Sequence, residues 1–154
     1  MQIGITYDHN GYEIAQKVKE HLVKQGYKVK DYNNKYDPDD DYPKEALKLL
    51  EHKEKEEIGI LICGSGVGMS IIANKVKGIR CARVLNKEEA IETRTHQDAN
   101  VLALSAKTPN IIGIIDAFLE TPFSNEERHI RRIKEIEKYE EKVMKWKKYL
   151  HQSL

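Results

Sequence analysis

An apolar run, Ile58-Gly59-Ile60-Leu61-Ile62-Cys63, passes through Gly64-Ser65-Gly66-Val67-Gly68 into a helix-forming stretch from Met69 to Val76. A half-exposed strand would alternate polar and apolar residues; an unbroken apolar run reads as a strand buried on both faces. The three glycines then permit a tight turn into the helix. The same alternation recurs along the chain. Ile3-Gly4-Ile5-Thr6-Tyr7 reads as a short strand and Asp8-His9-Asn10-Gly11 as a turn. A helix follows with Ile14, Ala15, Val18 and Leu22 on one face and Gly26 as its stop. Tyr27–Tyr32 reads as a strand, residues 33–41 as loop, and Pro43 as the first turn of a helix carrying Ala46, Leu47 and Leu50. Ile79–Leu85 and Asn100–Ser105 supply two more strands, and Lys87–Thr95 and Pro109–Leu119 two more helices. Apolar strands alternating with helices predict an α/β chain: a three-layer α/β/α, Rossmann-like, doubly wound fold on a five-stranded parallel sheet. Ligands of such sheets bind beyond the carboxyl ends of the strands, where strand order reverses. Asp8-His9, Cys63-Gly64-Ser65 and Ser105 fall at such ends.

The 154 residues suit a single domain, 1–154, able to bury a core without metals or disulfides. The last segment, about 124–150, is highly charged, yet Ile133, Ile136, Val143, Trp146 and Leu150 recur at helical spacing. It predicts a long C-terminal helix whose narrow apolar stripe packs on the domain or on a second subunit. Ser124 with Glu127 resembles a capping box at its start. Lys and Arg number 26 against 25 Asp and Glu. That balance argues against a general nucleic-acid binder while leaving room for a local anion site. No apolar run approaches the length of a membrane span, and no secretory leader is expected. The two cysteines, Cys63 and Cys81, are no disulfide framework, so a reduced, cytoplasmic setting is expected.

Backbone N–H groups crowd the glycine-rich loop at Cys63, and the helix dipole adds attraction for an anion. The spacing is Gly-x-Gly-x-Gly, without a dinucleotide fingerprint or the Gly-Lys-Ser/Thr of a P-loop. On pattern alone the turn suits tight packing as well as anion binding. A cysteine is commonly a small buried hydrophobe, but a helix N-terminus is also a setting that lowers a thiol's pKa from about 8.5 toward neutrality. Cys81, inside a strand, reads as structural. His9 ends the first strand and His96 stands at the approach to the fifth; His21, His52 and His151 read as solvated. No His-x-x-x-His or Cys-x-x-Cys spacing points to zinc. Asp37, Asp39 and Asp41 mimic the start of a calcium loop, but Tyr42 and Lys48 stand where its glycine and bidentate glutamate belong. Arg128 and Arg132 share one helical face, suited either to gripping a phosphate or to plain solvation.

Asp8-His9 with Gly11, Asp41-Tyr42-Pro43, the run from Ile60 to Ser70 leading into Ala73-Asn74-Lys75, Gly78-Ile79-Arg80, His96 with Asp98-Ala99-Asn100-Val101, Asp116-Ala117-Phe118-Leu119, and Arg128-His129 with Arg132 occur in one order. In these residues the chain, from residue 1 to about 140, resembles the ribose-5-phosphate isomerase B family, which also contains the subunits of galactose-6-phosphate isomerase. The resemblance implies an aldose–ketose isomerase in which Cys63 moves a proton between C2 and C1 of an open-chain sugar phosphate through a cis-enediolate. Gly64, Ser65, Gly66, Val67 and Gly68 would hold the enediolate oxygen through their N–H groups and the Ser65 hydroxyl. His96, with Asp8 nearby, would open the furanose ring. Tyr42 and Gln97 would shape the sugar pocket, and His9, Lys107, Arg128 and Arg132 would bind the phosphate. The resemblance further implies a homodimer with composite active sites, pairing into tetramers left open, and neither metal nor organic cofactor.

The glutamate that some relatives use in this loop is replaced here by Met69, which places the chain in the cysteine-using branch. Gln97 stands where asparagine is usual, Lys107 where an arginine is common, and Ser65 where threonine is commoner. Cys63 and His96 together favour a pentose phosphate. The rival readings are a hexose-phosphate isomerase of the same family, acting on allose or galactose 6-phosphate, a catalytically silent phosphosugar-binding module, and a cofactor-binding Rossmann domain.

Overall fold

The computed structural model describes residues 1–152. The chain alternates strand and helix: β1 (Gln2–Tyr7), α1 (Tyr12–Lys24), β2 (Lys28–Asp31), α2 (Tyr42–Leu50), β3 (Ile58–Cys63), α3 (Val67–Ala73), β4 (Cys81–Arg83), α4 (Lys87–Gln97), β5 (Val101–Ser105), α5 (Ile111–Glu120) and α6 (Glu127–Gln152). All five strands are parallel, in the order β2-β1-β3-β5-β4. The central β3 pairs with β1 on one side and β5 on the other, so both its faces are covered and its residues are apolar throughout. Ile60 and Ile62 pack with α1, α4 and α5; Leu61 and Cys63 pack with α2 and α3. The three-layer expectation holds.

Local chemistry explains most boundaries. Gly26, at φ +86°, ends α1; its N–H bonds the Val23 carbonyl and the Tyr27 N–H bonds the Leu22 carbonyl, closing a Schellman motif. The Asn86 side chain caps α4 by accepting from the Glu89 N–H at 2.8 Å, while Glu89 Oε2 takes the Leu85 N–H at 2.7 Å. That bond draws Leu85 out of the sheet. At the other end of β4 the Asn100 side chain takes the Arg80 N–H at 2.9 Å. The fourth strand is therefore three residues long, shorter than the expected Ile79–Leu85. Helix α4 runs on past Thr95 to include His96 and Gln97, so both lie on its last turn and not in a loop. The capping box at Ser124 does not form. The Ser124 hydroxyl instead lies 2.8 Å from His129 Nδ1, and α6 begins at Glu127.

In a parallel sheet every chemistry-bearing loop belongs to one of two edges. Asp8, Cys63, Arg83 and Ser105 end or follow strands and lie at the carboxyl edge. Helix α4 runs back to the amino edge, where Gln97 precedes β5. Helix α6 starts there too: the Ser124 N–H bonds the Thr95 carbonyl at 3.2 Å. Further on, the Glu140 carboxylate accepts the Gly78 N–H at 3.2 Å, so part of α6 is tied to the domain. Beyond that tie Trp146 and Leu150 remain well exposed. No helix among the described residues is long and apolar enough to cross a membrane.

Candidate active site

At the carboxyl edge the loops after β1 and β3 lie side by side. The Asp8 N–H reaches the Ile62 carbonyl at 3.2 Å. Gly11 packs so closely on the same carbonyl that a Cβ would overlap it. Its N–H donates to Asp8 Oδ1 at 3.0 Å, which fixes this buried carboxylate beside the end of β3. Cys63, the last residue of β3, is 3 % exposed, and the Gly66 N–H donates to its Sγ at 3.2 Å. Gly66 sits at φ +75°, where an added Cβ would come 2.9 Å from the Leu104 carbonyl carbon. Only glycine meets both demands, because the left-handed conformation already strains any side chain.

The loop is further tied down from β5. The Ser105 hydroxyl donates to the Gly64 carbonyl at 2.7 Å, and the Ala106 N–H to the Cys63 carbonyl at 2.8 Å. Of the amides expected to hold an oxyanion, Gly66 is turned to the thiol and Val67 to the Ser65 hydroxyl oxygen at 3.2 Å. Gly68 and Met69 occupy the first turn of α3, where N–H groups have no carbonyl a turn earlier. The Tyr42 ring lies against Gly68: a Cβ there would be 2.5 Å from its Cζ. Tyr42 is thus brought onto the loop. Arg83 donates from Nε to the Ser65 carbonyl at 3.1 Å, a cation near the loop that the sequence reading did not single out. Lys107 follows Ser105 at this edge, its N–H on the Ser105 hydroxyl at 3.1 Å.

His9 extends the site outward. Its Nδ1 lies 2.7 Å from Asp40 Oδ1, which also accepts the His9 N–H at 3.1 Å. The hydrogen bond to Asp40 holds the imidazole pKa above its ordinary value, aided by the charges of Asp8 and Asp39. Asp8, His9 and Asp40 form the one cluster among the described residues whose possible metal-ligand atoms come together. His9 Nδ1 is committed to Asp40 Oδ1 and Asp8 Oδ1 to the Gly11 N–H, while Asp40 Oδ2 is buried without a partner.

The remaining expected residues lie at the amino edge. The His96 ring lies tilted against that of His129, centroids 4.6 Å apart, and His96 Nδ1 is 3.7 Å from Glu92. His129 is buried and held below its ordinary pKa by that burial and by the neighbouring Arg128 guanidinium. Arg80 Nε donates to the Gln97 carbonyl at 3.0 Å. Arg128, paired with Glu126 at 2.8 Å, and Arg132 stand on the first turns of α6. One chain therefore does not bring His96 beside Asp8 or Cys63. The five residues of β5 alone separate the two edges by roughly 16 Å. The expected residues thus fall into two groups: thiol, amide loop, Asp8, His9, Tyr42 and Lys107 on one edge, His96, Gln97, Arg128 and Arg132 on the other. The surface cavities of about 620 and 500 Å³ run along α6 and include none of Asp8, Cys63 or His96.

Cys81, the other thiol, is pushed up to about 12 by burial. Asp40, like Arg83, was missed by sequence reasoning, and His129 was named there without a role. Asp40 was hidden in an acidic loop that read as solvated. The place of His129 between Arg128 and Arg132 on the α6 face was the signal for its role.

Fold and site define a doubly wound α/β protein with a thiol at a glycine-rich turn between strand and helix. Residues 3–136 match the family model described as Ribose/Galactose Isomerase, and the chain belongs to that family. It is 40% identical over 148 residues to the probable ribose-5-phosphate isomerase B of Mycoplasma genitalium, covering 92% of this chain and 97% of that protein. It is 36% identical over 146 residues to the ribose-5-phosphate isomerase B of Mycobacterium tuberculosis, covering 91% and 90%. Among solved structures, the ribose-5-phosphate isomerase B of Clostridium thermocellum superposes with a TM-score of 0.87 at 40% identity, covering 93% of this chain and 99% of that one. The Mycoplasma genitalium enzyme with bound ribulose-5-phosphate superposes with a TM-score of 0.83 at 39% identity, covering 91% and 96%.

Proposed function

We propose that the chain interconverts D-ribose 5-phosphate and D-ribulose 5-phosphate through a cis-enediolate, with Cys63 as the base. The observation that carries this reading is the Cys63 sulfur at the end of β3, against the Gly66 N–H, with the buried Asp8 at the end of the neighbouring β1. Cys63 would take the proton from C2 of the open-chain aldose. The electron pair left behind forms the C1–C2 double bond and places negative charge on O1. Amides of the loop and the Ser65 hydroxyl then hold that oxygen; losing one such donor typically costs about 3 kcal/mol of barrier. Transfer of the O2 proton to O1 and return of the first proton to C1 complete the ketose. Ring opening needs a group that protonates the ring oxygen while the anomeric hydroxyl is deprotonated, a role suited to His96 with Asp8.

Since one chain holds these groups at opposite sheet edges, the reading requires a second copy. A two-fold dimer would set the His96, Gln97, Arg128 and Arg132 edge of one chain over the Cys63 edge of the other. His9 and Lys107 would meet the phosphate from the thiol side and the two arginines from the far side. Such a homodimer needs no cofactor for a proton shuttle of this kind.

The test is isomerisation in deuterated water. The native chain should form ribulose 5-phosphate with solvent label at C1. Cys63→Ala should keep substrate affinity and lose nearly all turnover. Native-like turnover in that variant removes the proposed base. Faster turnover of allose or galactose 6-phosphate than of the pentose would move the substrate to a six-carbon sugar, and affinity without label exchange would leave only a binding protein.

A further inference from the structure

The loop between β2 and α2 carries Asp37, Asp39, Asp40 and Asp41, and one of these turns inward: the Asp40 side chain is 3 % exposed. Its only hydrogen bonds among the described residues come from His9, through the backbone N–H at 3.1 Å and ring Nδ1 at 2.7 Å, both to Oδ1. Oδ2 is buried without a partner. A buried carboxylate met by no other cation is strongly disfavoured unless its one partner carries the positive charge. Using Nδ1 for Asp40 leaves Nε2 on the outer side of the ring, 3.1 Å from the exposed Asn10 amide nitrogen. Once Nε2 carries a proton, the amide must turn its oxygen inward or give way to a ligand oxygen.

Resting on the reading that His9 binds the phosphate, we propose that Asp40 is a positioning residue that aims His9, as its imidazolium, at the substrate's phosphate. The carboxylate fixes the rotation of the ring through two bonds from one residue, so Nε2–H points outward as a charge-assisted donor. Among the described residues the charges acting most on the ring are Asp40, Asp8 and Asp39, all acidic, and each favours the protonated ring. In the composite site Arg128 and Arg132 of a second copy, with Lys107, would oppose them. Native and variant proteins share these cations, so the comparison isolates Asp40.

The experiment follows the His9 imidazole by NMR across about pH 5 to 9, in native protein and Asp40→Asn, with kcat and KM for ribose 5-phosphate over the same range. Native His9 should titrate above the ordinary value of about 6.5. In Asp40→Asn the midpoint should fall, and KM at about pH 8 should rise roughly tenfold, the size of one charge-assisted bond. The KM difference should vanish on acidification, which protonates the ring without help, while kcat stays within about twofold. A native midpoint below the ordinary value overturns the proposal without any variant, as does a KM defect equal at every pH. Inorganic phosphate added to native protein should shift the His9 resonances; no shift also overturns it. An absence of isomerase turnover in the native chain would sink the enzymatic reading alone, since the titration and the phosphate shift would stand.

Discussion

Cys63→Ala and His96→Asn remove groups from opposite edges of the sheet, and each should abolish activity by itself. Loss of a positioned acid or base typically costs about 10²–10⁴-fold in rate. Within one chain the two side chains are separated by at least the height of β5, roughly 16 Å, too far for both to touch one five-carbon sugar. If the sites are shared across a two-fold axis, mixing the variants places an intact Cys63 from one chain against an intact His96 from the other. Random exchange of equal amounts makes about half the dimers mixed, each with one complete site and one lacking both groups. Recovery should therefore reach roughly a quarter of native specific activity, far above either parent. The assay is ribulose 5-phosphate formation after partial denaturation and refolding of the mixture, with mixed dimers counted by native mass spectrometry. Mixed dimers as inactive as their parents would refute the shared site.

Other consequences are open to direct measurement. Gly66→Ala should lose about 1–3 kcal/mol in urea unfolding, from the left-handed φ and the Leu104 contact, and most of its turnover. Gly78→Ala is the control: its φ of +79° is similar but nothing lies near the added Cβ, so it should lose less stability and keep its activity. The Cys81 thiol, pushed up to about 12, should resist iodoacetamide near neutral pH, and Cys81→Ala should stay active; rapid alkylation at Cys81 would contradict its burial. His129 is held below its ordinary pKa, so the unfolded chain binds the proton more readily. Stability should fall as pH drops below about 6.5, and His129→Gln should flatten that slope in thermal melts; an unchanged slope would acquit His129.

Much of the molecule was legible in contiguous residues. The uncharged run Ile58–Cys63 read as a strand covered on both faces, and Gly64–Gly68 as a tight turn into a helix, because both readings rest on nearest-neighbour chemistry. Gly26 announced the end of α1 for the same local reason. Where the reading slipped, a side chain had taken a group that the pattern assigned elsewhere. Asn100 and Glu89 shortened β4, and His129 drew the Ser124 hydroxyl away from a cap. The acidic stretch from Asp37 to Asp41 could not disclose which carboxylate turns inward to His9. Nor could it be read from spacing that β5 lies between β3 and β4, or that His96 ends a helix at the edge opposite Cys63. Periodicity and turn chemistry are properties of neighbours along the chain, so the sequence by itself determined the elements and the loop around the thiol. Which edge each reactive group occupies depends on strand order and helix direction, set by packing between distant segments, and only the tertiary structure decided that.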